Sequence, residues 1–271
     1  MVQDLAGRHG PRRQRPPDVH VIFCTCGQRI SGQGPEEVTD ALRAHVREAH
    51  AHWGIPDQYL RDLRTTTAKM AVWDGRSTPL DGAPEIHPLT PARLVDFLRF
   101  FDRYAFMDNP LWAGCYCMHP HFAGAEADWV RRSAAQNREE KRELIRSGGA
   151  RGYLAYVRSR PVAWCHAAPR PELPGLARLE EFQPTDDDQV GAIACFVVAA
   201  PYRRQGLARL MLDAACDGFR AEGLTVAEAY PPKEARSDAG AHRGPLDLYL
   251  TAGFRVYFEG RRFVVVRRSL A

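Results

Sequence analysis

The stretch VVAAPYRRQGLARLML, residues 197–212, decides the fold. An apolar run ends in the polar turn Tyr202–Gln205, and Gly206 then opens an amphipathic segment. Leu207, Leu210, Met211, Ala214, Ala215 and Phe219 recur there at helical spacing. The pattern predicts a buried strand that turns tightly into a helix. The first turn of a helix leaves backbone N–H groups unpaired, facing outward and partly positive. Gly206 lets the backbone approach a ligand closely, Ala208 keeps the next contact small, and Arg203, Arg204 and Arg209 add charge. Such a turn suits a phosphate or pyrophosphate; a tight connection with solvated arginines is the other reading. The G-x-x-x-x-G-K-[ST] and G-x-G-x-x-G phosphate loops are both missing.

Working outward, residues 87–271 show regular patterning. HPLTPARLVDFLRFFDRYAF predicts a helix with Thr90 as N-cap and Pro91 at its first position, and residues 126–149 predict a second, more polar helix closed by Gly148 and Gly149. GYLAYVRSRPVAWCHAA reads as two strands around a tight turn. Residues 168–189 read as an exposed, proline-rich acidic loop. VGAIACFVVAA is a buried strand, LTVAEAY another, PLDLYLTAG a short helix and FRVYFEGRRFVVVRR a hairpin. The order α-α-β-β-β-α-β-α-β-β predicts an α/β sheet with helices on its faces.

The chain of 271 residues carries 37 basic and 33 acidic residues, a net charge of +4 that is too small to imply nucleic acid by itself. It has no apolar run of about 18 residues, so no membrane span is expected. The seven cysteines are an odd number, several within apolar runs, which argues for a reducing, cytoplasmic setting over a disulfide framework. Residues 1–19 read as a disordered basic arm, 20–52 as a small strand–turn–helix domain, and 53–86 as a linker.

Arg203, Gly206 and Ala208 form R-x-x-G-x-A, which resembles the acyl-CoA signature Q/R-x-x-G-x-G/A of the GNAT N-acetyltransferase superfamily. LYLTAGF, residues 248–254, is similar to the Y-x-x-x-G-F element near the end of such domains. The resemblance covers about residues 87–268. It implies the GNAT fold, a central mixed, splayed sheet flanked by helices, and an acetyl-CoA-dependent N-acetyltransferase. Backbone amides of Arg204, Gln205, Gly206, Leu207, Ala208 and Arg209 would hold the pyrophosphate. Phe196, Val197 and Val198 would pair with the pantetheine arm, and Tyr249 would protonate the departing thiolate. The amine would attack the thioester directly in a ternary complex. Glu228, His166 or a water chain would take its proton.

In NPLWAGCYCMHPHF, residues 109–122, Cys115, Cys117, His119 and His121 alternate and would share one face of a strand. Strand positions two apart lie about 6.6 Å from one another, long for ligands of one zinc unless Pro120 bends the chain. Three readings stand: an acceptor wall of Trp112, Cys115, Tyr116, Cys117 and Trp164, which the resemblance to acetyltransferases implies, a plain core, or a metal site. In the N-terminal unit, Cys24-x-Cys26 and His45-x₄-His50 match structural zinc ligands in residue type, and the histidines match in spacing. The other reading is that the cysteines are buried strand residues. The function expected is acetyl transfer to a primary amine of a small molecule, without nucleic acid or membrane as partner. The alternatives are a CoA-sensing regulatory or nucleic-acid-binding protein built on the Cys/His unit, and a protein N-acetyltransferase whose acidic loop, Glu180–Asp188, attracts a basic peptide.

Overall fold

The computed structural model describes residues 19–55, 57–178, 182, 189–235 and 237–271. The basic arm up to residue 18 and the acidic loop, Phe182 apart, lie outside the described residues. The chain runs β1 (His20–Phe23), β2 (Arg29–Gly32), α1 (Pro35–Ala49), α2 (Asp57–Thr67), β3 (Glu85–Pro88), α3 (Leu94–Arg103), α4 (Glu126–Trp129), α5 (Ala134–Arg146), β4 (Tyr153–Val157), β5 (Arg160–Pro169), β6 (Val190–Val198), α6 (Leu207–Ala221), β7 (Val226–Ala229), α7 (Leu246–Thr251), β8 (Arg255–Glu259) and β9 (Val264–Ser269). Among the described residues no helix is long and apolar enough to cross a membrane.

Seven strands form one mixed sheet in the order β3-β4-β5-β6-β7-β9-β8. Only β6 and β7 run parallel, with Val190–Ile193 opposite Val226–Ala229; the other neighbours are antiparallel. β6 continues five residues beyond its last pairing with β7, so the sheet opens there. A register shift between His166 and Ala167 leaves Ala194 as an extra residue in β6 at that point, a bulge that bends the strand.

Both faces of the sheet are covered, which is why β5 and β6 are buried along almost their whole length. Side chains alternate between faces. Ala163, Cys165, Ala167 and Ile193 meet the stripe Leu207, Met211, Leu212, Ala215 and Phe219 of α6. Trp164, Leu154 and Val197 meet Phe97, Phe100 and Phe101 of α3 and Ile145 of α5. Gly191 is obligatory here, because a Cβ would lie 2.4 Å from the Phe219 ring.

Three sequence expectations change. The polar helix over 126–149 is two pieces, since Ser133 and Gln136 form a capping box that starts α5 afresh. β3 pairs with β4 just before the first expected helix. Residues 57–67 are helical: Leu60 and Leu63 join Ile22, Cys24, Val38, Leu42 and Val46 in the core of the N-terminal unit, and the Thr39 and Thr67 hydroxyls bond at 2.7 Å. This unit packs on the larger sheet domain. Phe23 N–H donates to the Asp108 carbonyl at 2.6 Å, and Val21 N–H to that of Trp73 at 2.8 Å.

Candidate active site

β6 ends at Val198 and leads through Ala200–Tyr202 to Gly206, which caps α6 with φ 86°. Arg204 also adopts positive φ, 60°. Among the described residues nothing lies within 4 Å of where a Gly206 Cβ would point, so the turn presents bare backbone. The Arg209 and Leu210 amides bond the Gly206 carbonyl. By helix geometry, those of Leu207 and Ala208 have no intrahelical acceptor.

The arginines do not gather over this turn as the sequence suggests. The Arg203 guanidinium folds inward, donating to the Val198 carbonyl at 2.9 Å and to both Asp108 oxygens at 2.5 and 2.8 Å. Arg204 pairs with Asp238, and Arg209 with Asp213. Gln205 clamps the chain at Thr78 and Leu80. The positive potential at the turn therefore rests chiefly on backbone amides.

Beyond the parallel pairing with β7, the open edge of β6 is engaged by one segment. Phe196 N–H donates to the His242 carbonyl at 2.5 Å, and Arg243 Nη1 donates to the Ala194 carbonyl at 3.3 Å. The Tyr249 hydroxyl, on α7, donates to the Arg243 carbonyl at 2.6 Å. A Cβ on Gly244 would lie 2.9 Å from that hydroxyl. Tyr249 is fully buried, and burial holds its phenol well above the usual value. Three consecutive residues, His242–Gly244, thus cover both the strand edge and the tyrosine.

Beside this segment lies a cavity of about 880 Å³. Trp112, Cys115, Cys117, Cys195, Val197 and His242 form part of its wall. Of the five expected acceptor residues, Trp112, Cys115 and Cys117 face it. Tyr116 instead turns to Asp102, its hydroxyl donating at 2.7 Å, and Trp164 is buried edge-on against Phe97. The expected alternating strand does not form. Pro110–Cys115 and His119–His121 are 3₁₀ turns, and Tyr116 and Cys117 both take positive φ, 46° and 52°. Cys115, Cys117, His119 and His121 do not converge as a metal site. Two successive left-handed non-glycine residues are strained.

That strained turn puts Cys117 Sγ 3.2 Å from His166 Nδ1. Among the described residues, His166 Nε2 and Lys141 Nζ are buried with no hydrogen-bond partner. Burial by itself raises a thiol; the Cys195 thiol, His166 and Lys141 outweigh it and hold Cys117 well below its ordinary value. Burial lowers Lys141 to about 8. Lys141 was missed in the sequence, although Asn137, Lys141 and Ile145 recur at the spacing of an inward helix face. Glu228, the other candidate base, is committed elsewhere. One oxygen accepts from Arg170 and Tyr230 at 2.5 and 2.6 Å, the other from Arg267 at 2.7 Å.

The N-terminal cysteines and histidines do converge. Ligand atoms of Cys24, Cys26, His45 and His50 all lie within 4.8 Å of one another. Cys26 Sγ is 3.4 Å from His45 Nε2, which is 3.2 Å from His50 Nε2.

The site thus combines a mixed sheet that opens beyond the β6–β7 pairing with a glycine turn and a helix N-terminus at the end of β6. The model of the Acetyltransferase (GNAT) family matches residues 119–239, and the chain carries a GNAT acetyltransferase domain. A comparison with curated proteins finds no match. Among solved structures, the PaiA N-acetyltransferase of Thermoplasma acidophilum in complex with coenzyme A is 13% identical, with 69% of this chain and 99% of that one covered, at a TM-score of 0.43. The GCN5-related N-acetyltransferase of Kribbella flavida is 17% identical over 69% and 98%, at 0.42. YncA of Salmonella typhimurium, a putative acetyltransferase with acetyl-CoA, is 15% identical over 70% and 95%, at 0.41.

Proposed function

We propose that this chain transfers an acetyl group from acetyl-CoA to a primary amine of a small molecule. The observation that carries this reading is the Gly206 turn, bare backbone at a helix N-terminus, which follows the stretch of β6 left unpaired by β7, where Ala194, Cys195 and Val197 line a cavity. The amides of residues 204–209 bind the pyrophosphate, as helix N-termini do. The edge of β6 at Phe196–Val198, once the His242 carbonyl releases Phe196 N–H, pairs with the pantetheine arm, and Trp112, Cys115 and Cys117 form the acceptor wall. The amine attacks the thioester directly in a ternary complex. Its proton passes to the Cys117–His166 pair, whose geometry supports that role better than the engaged carboxylate of Glu228. Tyr249 protonates the departing thiolate once its hydroxyl is freed from the Arg243 carbonyl. We also take a zinc ion as a structural constituent of the N-terminal unit.

Calorimetric titration with acetyl-CoA tests the reading. The wild type is expected to bind in the micromolar range, and Gly206→Trp, whose ring would fill the space above the turn, is expected to abolish binding. An amine panel with free-thiol release as readout then identifies the acceptor. Equal affinity in the two proteins would show that the turn does not hold the nucleotide.

A further inference from the structure

The Cys24–His50 cluster lies against the acetyl-transfer site, and the residue between its two cysteines touches that site twice. Thr25 Oγ1 accepts from Trp112 Nε1 at 3.0 Å, and the Thr25 carbonyl accepts from Ser237 Oγ at 3.0 Å. Trp112 packs on the His242 ring with centroids 4.6 Å apart. Ser237 starts the turns that lead to His242: Ala241 N–H bonds its carbonyl, Gly240 N–H bonds its hydroxyl, and His242 N–H bonds the Ala239 carbonyl. The same segment then covers Phe196 N–H and the Tyr249 hydroxyl.

We propose that Cys24, Cys26, His45 and His50 hold one zinc-class divalent cation, and that this centre latches the His242–Gly244 segment over β6. The first half stands on the cluster itself; the second rests on the acetyl-CoA reading. Two thiolates and two imidazoles suit zinc. Zinc–ligand bonds of about 2.0–2.3 Å in a tetrahedron put ligand atoms roughly 3.3–3.8 Å apart. The Cys26–His45 contact at 3.4 Å and the His45–His50 contact at 3.2 Å match that edge closely. The ligands cross-link two elements that share a small core: the cysteines sit on the turn between β1 and β2, and the histidines on the end of α1. Gly27, with φ 95°, closes the turn through its N–H on the Cys24 carbonyl, and His50 stacks on Trp53 at 3.8 Å.

A metal fixes both neighbours of Thr25, so Thr25 becomes a rigid anchor. Its carbonyl holds Ser237, and through that turn the His242 carbonyl stays on the strand edge that the pantetheine arm needs. Acetyl-CoA entry must then break the Ser237–Thr25 bond together with the two bonds beneath it. Loosening the anchor frees the His242–Gly244 segment from the strand edge and favours entry.

Two measurements on the full chain test this. Elemental mass spectrometry is expected to find one zinc per chain, lost in Cys26→Ala and in His50→Ala. Absence of a stoichiometric metal would overturn the first half. Calorimetry with acetyl-CoA is expected to show Ser237→Ala, with its zinc retained, binding about fivefold or more tighter than wild type, since the substitution removes the hydroxyl's bonds to Thr25 and from Gly240 and one ordinary hydrogen bond has a net worth of about fivefold. Equal or weaker binding would overturn the latch while leaving the acetyl-CoA reading intact. Absence of binding by both proteins would overturn the acetyl-CoA reading and the latch with it, and the metal count would still decide the first half.

Discussion

Lys141 is the residue whose burial most needs an explanation. Its ammonium has no hydrogen-bond partner among the described residues, lies 6.0 Å from the Phe97 ring centroid and faces a cluster of thiols. A lysine held at about 8 destabilises the fold wherever it must carry its charge. Below pH 8 both folded and unfolded forms are protonated, and the full penalty applies. Between pH 8 and about 10.5 the unfolded chain binds more protons, so stability rises with pH. We expect Lys141→Met to be more stable than wild type at pH 7, on the order of 3 kcal/mol, with the difference shrinking toward pH 10. Urea midpoints of both proteins at the two pH values measure it, and a constant difference would contradict the assignment. The same substitution removes the positive neighbour of Cys117. Its iodoacetamide alkylation at pH 6 should slow by about tenfold or more, since the thiolate is the nucleophile. Unchanged alkylation would show that His166 and Cys195 suffice. At this scale the sequence was legible where backbone chemistry dominates, as at Gly206, and at the Cys24, Cys26, His45 and His50 set. It was not legible where three-dimensional neighbours decide. Arg203 reads as a phosphate ligand until Asp108, 95 residues earlier, is seen to take it.

Among the elements, β7 shows how a buried charge can look catalytic in sequence and be structural in space. Glu228 sits on a four-residue strand, yet it ties the chain after β5, through Arg170, to β9, through Arg267. It is 1% exposed and Arg170 is 8% exposed, so removing the carboxylate leaves two guanidinium groups poorly compensated in a largely water-free setting. Removing one partner of a buried ion pair costs about 3–5 kcal/mol. We expect Glu228→Ala to lower the thermal midpoint by about 10 °C and to leave acetyl-CoA binding in place. A variant with unchanged midpoint and lost turnover would instead restore Glu228 as the base. The strands, α6 and the Gly206 turn were legible because their periodicity is local. The 3₁₀ turns around Cys115–His121 were not: alternating cysteines and histidines mimic a strand, and the left-handed turn at Tyr116 and Cys117 has no glycine to announce it. The break between α4 and α5 was missed because the capping box at Ser133 lies inside an otherwise helical composition.

For the whole molecule, the question is whether the N-terminal unit is an appendage or part of one cooperative body. Its core holds seven buried apolar residues, few for an independent fold. Its contacts with the sheet domain are numerous and partly backbone to backbone: β1 bonds residues 73 and 108, Tyr59 reaches the Leu111 carbonyl, and Thr25 holds Trp112 and Ser237. Asp108 serves both sides, accepting Phe23 N–H on its carbonyl and Arg203 on its carboxylate. Residues 53–86 read as a linker because the one helix there, Asp57–Thr67, buries only Leu60, Leu63 and Thr67 among its described residues, and the chain after it is held by contacts distant in sequence, such as Thr78 N–H on the Pro201 carbonyl. These contacts make the unit and the acetyltransferase domain interdependent. We expect scanning calorimetry of the full chain to give one transition whose calorimetric and van't Hoff enthalpies agree. A chelator that strips the Cys24–His50 centre should lower that single midpoint, because a ligand that binds only the folded state stabilises the whole cooperative unit. Two resolved transitions, with only the lower one moved by chelator, would show instead that the metal-binding unit unfolds on its own, and the path from Cys24 to His242 would then carry no coupling.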